Sequence, residues 1–80
     1  MTTLNYLMER ERNLVDRIDK NFNGRVQMLH QLDELVMSVD VRKELEQEVV
    51  DSESYEKALR TELNQVRKSM KNYILDLLRN

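Results

Sequence analysis

The sequence predicts an all-α fold: a long antiparallel helical hairpin, coiled-coil-like, that self-associates into a helical bundle. Three observations predict it. Apolar residues recur at steps of three and four along most of the chain, and strand-like alternation is missing. Proline is absent and Gly24 is the only glycine, so little interrupts a helix. A turn-like triplet, Ser38-Val39-Asp40, falls almost at the midpoint and divides the chain into two arms of near-equal length. The whole chain, 1–80, reads as one helical domain. Arm one covers about 3–38, the turn about 38–40 and arm two about 41–79. Each arm is expected to be roughly 50–55 Å long at ~1.5 Å per residue.

Arm one carries its main apolar stripe at Leu4, Met8, Val15, Ile18, Phe22, Leu29, Leu32 and Val36. A second set, Leu7, Leu14, Met28 and Leu35, lies beside it, so arm one shows three apolar positions per heptad. A stripe that wide suits a bundle of three or more helices better than a lone two-helix seam. Asn21-Phe22-Asn23-Gly24 contains a turn signal. The heptad phase nevertheless carries across it, since Phe22 and Leu29 are seven apart. A continuous helix, with or without a kink, is therefore expected there.

At the turn, Asp40 is the preferred cap of the second helix, because its carboxylate can accept from N–H groups two or three residues on. Ser38 is the weaker candidate. Arm two then steps through Leu45, Val49, Leu59, Leu63, Val66, Met70, Tyr73 and Leu77. Its weak place is Val49 to Tyr55, where helix propensity is poor and Ser52 and Glu56 fall on core positions. Breaks near Asn23-Gly24 and Asp51–Ser54 would give a short four-helix arrangement instead.

Folding about Val39 makes facing residues sum to about 78. Gly24 then faces Ser54, a level at which both arms loosen into a hinge, a gap or a ligand site. Glu11 is set near Arg67, and Arg25 near Glu53. Both are expected as cross-arm charge pairs that fix register more than they stabilise.

Composition narrows the function classes. Eighty residues bury little, and no cysteine is present to add a disulfide or a thiolate metal site. Self-association, as a dimer or tetramer, is the expected compensation. No apolar run approaches membrane-spanning length and no signal-peptide core is evident, so a soluble, cytoplasmic protein is expected. Charged residues make up 35% of the chain, with a net charge of −2. Charge is nonetheless segregated: net +1 over residues 1–32, −7 over 33–56 and +4 over 57–80. In a hairpin this gives an acidic turn end and a basic open end, which favours antiparallel association or a charged partner.

Catalytic chemistry finds no support in the residues. There is no Cys nucleophile, no Ser–His–acid set and no Gly-rich phosphate loop. His30, with Asp33 and Glu34 three and four residues on, lacks a fourth metal ligand. No cofactor and no metal are expected. Nucleic acid would have to use Arg10, Arg12, Arg17, Arg60, Arg67, Lys68, Lys71 and Arg79. The few aromatics, Tyr6, Phe22, Tyr55 and Tyr73, offer little stacking.

The open end is the candidate binding surface. Leu4, Tyr6 and Leu7 at one terminus and Tyr73, Ile74, Leu75 and Leu78 at the other are apolar on more than one face, and a hairpin brings them together. Arg67, Lys68 and Lys71 would steer and orient a partner. The favoured function is a non-enzymatic protein-interaction module, an adaptor, chaperone-like clamp or inhibitor, acting as a homo-oligomer and binding itself and another protein. The alternative is an oligomer that sequesters a small anion or nucleotide, and the third reading is a nucleic-acid-binding accessory protein. In style, though by no motif, the chain resembles the short, charged helical accessory proteins of phages and mobile elements.

Overall fold

The computed structural model describes residues 2–79 and is an all-α hairpin. Helix α1 runs Thr3–Glu34 and helix α2 runs Val39–Arg79. The two pack side by side into a rod of 63 × 17 × 16 Å. Helix α1 starts where the Thr2 hydroxyl accepts from the Asn5 N–H at 3.1 Å, which satisfies one of its free donors. Both helices run unbroken through the two suspected weak places, so the four-helix alternative is not what forms. Gly24 has an ordinary helical backbone with negative φ.

The reversal lies earlier than Ser38-Val39-Asp40. Helix α1 ends at Glu34, Leu35 is extended, and Val39 already belongs to α2. Ser38, not Asp40, is the cap: its Oγ accepts from the Val41 N–H at 3.3 Å. Asp40 sits inside the first turn, where its charge faces the helix's positive end. Helix α1 has no basic residue in its last turn. Arg42 of α2 supplies one, donating to the Leu32 carbonyl at 3.1 Å, so a cation from the second helix closes the first.

The seam follows a strict heptad. From α1, Leu4, Leu7, Glu11, Leu14, Ile18, Asn21, Arg25, Met28 and Leu32 are buried or half-buried. From α2 the same holds for Leu45, Val49, Ser52, Glu56, Leu59, Leu63, Val66, Met70 and Tyr73. Steps alternate three and four in both helices, a period of 3.5 that keeps two helices in contact by left-handed supercoiling. Leu14, Ile18, Leu59 and Leu63 form the buried core, with Val66 packed against it.

This corrects the expected stripe of α1. Leu7, Leu14 and Met28 turn toward α2, while Met8, Val15, Phe22 and Leu29 remain exposed. Leu77, expected on the α2 stripe, is also exposed. It lies in the last turn of α2, one turn past Tyr73 and beyond the start of α1 at Thr3.

Candidate functional site

Two features of the rod have chemical content: a polar belt across the seam and an apolar overhang at the open end. The belt comes from two seam positions on each helix, four residues apart: Asn21 and Arg25 on α1, Ser52 and Glu56 on α2. A helix brings residues i and i+4 to one face, so each pair forms a patch and the patches meet. Asn21 Nδ2 donates to the Ser52 carbonyl at 2.9 Å, and the Ser52 hydroxyl donates to Asn21 Oδ1 at 3.1 Å. Arg25 donates to Glu56 at 2.8 Å, and both side chains are largely buried. Arg60, one turn along α2, holds the other Glu56 oxygen at 3.0 Å. The Arg25 guanidinium also lies 5.5 Å from the centre of the Phe22 ring, a cation–π distance. Its Nη1 is buried with no hydrogen-bond partner, and the ring face gives the cation some compensation.

The ion pairs hold the Glu56 carboxyl below its ordinary range. The Arg60 hydrogen bond acts most, then that of Arg25, against an opposing effect of burial. A carboxylate held ionised between two arginines is a poor general acid or base near neutrality. The belt is thus suited to fixing register. Sliding one helix by a heptad would set Asn21 and Arg25 against apolar neighbours and strand a buried charge.

The predicted belt was Gly24 against Ser54. Ser54 is exposed instead, and the polar level lies at Ser52 and Glu56. Arg25 likewise pairs with Glu56, not with Glu53, because only the former lies on the seam. Glu11 and Arg67 do meet, at 3.0 Å. Sequence reasoning treated Ser52 and Glu56 as flaws in α2. The signal that could have found the belt was the matching four-residue spacing of polar residues in both seams.

At the open end, Leu4, Leu7 and Tyr73 are half-buried along the seam. Tyr6, Ile74, Leu75 and Leu78 are exposed. The heptad register sets Tyr73 level with Leu4, so the last turn of α2 overhangs the start of α1. Leu75 and Leu78 lie on that overhang, with Lys71 and Lys68 exposed one and two turns back. A groove of about 350 Å3 opens beside it between Leu7, Arg10, Glu62, Gln65, Val66 and Ser69. The opposite end carries another, of about 340 Å3, among Leu35, Val36, Met37, Val41, Leu45 and the carboxylates of Glu44 and Glu48. Both are open grooves.

His30 is exposed, with Nδ1 3.6 Å from Glu34. Among the described residues no three metal-capable side chains converge, and no helix is long and apolar enough to cross a membrane. No known protein family, curated protein or solved structure matches the chain.

Proposed function

We propose that the chain is a non-enzymatic protein-interaction module that works as a homo-oligomer and grips a partner protein with its open end. The observation that carries this reading is the overhang. Tyr6, Ile74, Leu75 and Leu78 stand exposed around the end of the rod, and Lys68, Lys71 and Arg67 line the approach. An apolar centre with a charged rim is the anatomy of a protein contact. The basic charge fits a partner with an acidic docking surface and would accelerate encounter at low salt. The scarcity of core supports the oligomeric part. Among the described residues only Leu14, Ile18, Val49, Leu59 and Leu63 are buried apolar side chains, and fifteen large apolar ones are exposed. A chain with so little interior gains by covering that surface.

The test is affinity capture from a source lysate with the wild-type chain and a Leu75→Glu, Leu78→Glu variant. Capture of one partner by the wild type, lost in a variant that keeps its helical signal, is the expected result. A variant that retains the partner removes the open end from consideration. The same chains melted against a panel of nucleotides check the rival use. A rise of several degrees with one nucleotide would shift the function to sequestering that anion.

A further inference from the structure

Helix α1 presents two apolar rows, and α2 covers only one. Met8, Val15, Phe22 and Leu29 recur every seven residues, one position beyond Leu7, Leu14, Asn21 and Met28 of the seam. Their exposures are 44, 36, 49 and 47%. Helix α2 has no such second row. The equivalent positions are Glu46, Glu53, Arg60, Arg67 and Ile74. In an antiparallel pair these positions of the two helices line the same side of the seam. One side of the rod therefore carries a full-length apolar row beside a charged row, and the charged row changes sign midway. It is acidic toward the turn and basic toward the open end.

We propose that this side binds a second copy of the same chain, antiparallel, about a two-fold axis crossing the rod near Asn21, to form a four-helix bundle. Three considerations identify the occupant. First, the charged row is self-complementary only when reversed. Turning one rod end for end sets Arg60 and Arg67 of one copy level with Glu53 and Glu46 of the other. A parallel pairing, about a two-fold along the rod, sets the charged row of each copy against the apolar row of the other. Second, the apolar rows interlock in the same arrangement. With the axis near Asn21, Val15 falls between Phe22 and Leu29 of the second copy, as knobs enter holes. Third, the area suffices. A face 63 Å long and 16 Å wide offers on the order of 1,000 Å2 of projected surface, and a stable interface needs about 800 Å2 per partner.

This inference rests on the homo-oligomeric part of the proposed function and adds its surface and orientation. It leaves Tyr6, Leu75 and Leu78 outside the contact, since they occupy other faces of the helices. Each bundle would then present one open-end patch at either extremity.

The experiment is mass in solution by sedimentation, with helical content read beside it. The wild-type chain is expected at twice its 9.7 kDa. Val15→Lys with Leu29→Lys is expected at 9.7 kDa with its helical signal kept, because both sites face outward. Should that variant unfold, Glu46→Lys with Glu53→Lys reads the same surface through charge alone. It is expected to weaken association at least tenfold at low salt. The Leu75→Glu, Leu78→Glu variant is expected to keep the double mass. A spin label on Glu9→Cys is expected to lie roughly 35 Å from its counterpart, given ~1.5 Å per residue. A short label distance overturns the orientation. Row and charge variants that associate like wild type overturn the surface. A wild-type chain that stays at 9.7 kDa overturns self-association, leaving the row to a different protein and the open-end reading untouched. Dissociation by the open-end variant alone moves the self-contact to the overhang.

Discussion

Asn21 and Ser52 exchange two hydrogen bonds across the seam, one through the Ser52 carbonyl at 2.9 Å and one through its hydroxyl at 3.1 Å. A buried serine on a heptad core position is otherwise a cost, because its hydroxyl loses water. Here a single asparagine satisfies it and fixes which residues of α1 lie beside which of α2. Asn21→Ala leaves that hydroxyl unpaired. The expected loss is about 1–2 kcal/mol, seen as a fall in the unfolding midpoint of roughly 4–8 °C per kcal/mol for a chain of this size. Replacing both residues by leucine and alanine, Asn21→Leu with Ser52→Ala, is expected to recover most of the stability. An Asn21→Ala chain that melts with the wild type would show the pair to be idle.

Glu56 makes stability depend on acid. Its folded pKa lies below the ordinary value near 4.5, through Arg60 first and Arg25 second. A depressed folded pKa contributes stability that is fully present above the unfolded value and lost as pH falls through the folded one. Glu56→Gln removes the charge at every pH, so it melts below wild type at neutrality. The gap should narrow as pH drops below the ordinary carboxylate range, where the wild-type side chain is itself protonated. Thermal melts of both chains across that range measure the gap. A gap that stays constant with pH would disprove the charge as its source.

Leu14 and Val15 are neighbours in sequence with opposite roles. Leu14 is fully buried and Val15 is 36% exposed. Leu14→Ala is expected to cost about 2–5 kcal/mol, a large part of the stability available to a domain this small. Val15→Ala should leave the hairpin within about 0.5 kcal/mol. Melts are compared where the mass is that of one chain, so that any second copy does not enter. Equal losses at the two sites would mean that both rows of α1 are covered within a single chain.

That contrast also marks what the residues disclose unaided. The helical period, the single reversal and the Glu11–Arg67 pair follow from spacing alone, since each depends only on one helix facing another. Which of two adjacent apolar rows of α1 faces α2 does not follow from α1, because three apolar positions per heptad fit either choice. The decision comes from α2, whose pattern has only two. It also comes from the belt, since Asn21 and Arg25 must meet Ser52 and Glu56. The place of the reversal is ambiguous in the sequence for a related reason. Asp40 and Ser38 are both good caps, and the choice between them depends on where α1 stops. A residue of the other helix, Arg42, helps to set that end by holding the Leu32 carbonyl.

The cap can be separated from the dipole by two substitutions. Ser38→Ala removes an oxygen that accepts from Val41 and is expected to cost about 1 kcal/mol. Asp40→Asn keeps the shape and removes only a charge in the first turn, at about 0.3–1 kcal/mol. Moderate salt should shrink the second effect and leave the first. Urea unfolding at two ionic strengths reads both. A larger cost at Asp40 than at Ser38 would return the cap to the aspartate.

Gly24 offers a gain instead of a loss. It lies inside α1 with negative φ, and a methyl group placed on it meets nothing within 4 Å. Glycine in a helix interior costs about 1 kcal/mol relative to alanine, because the unfolded chain gives up more freedom there. No turn, close approach or left-handed backbone repays that cost at this position. Gly24→Ala is therefore expected to raise the unfolding midpoint by roughly 4–8 °C with the same mass in solution. Gly24 is also off the exposed apolar row, so the gain should appear equally in wild type and in the Val15→Lys, Leu29→Lys chain. A fall in the midpoint in either background would mean that the rod bends or opens at this level, and that the glycine is needed for that movement.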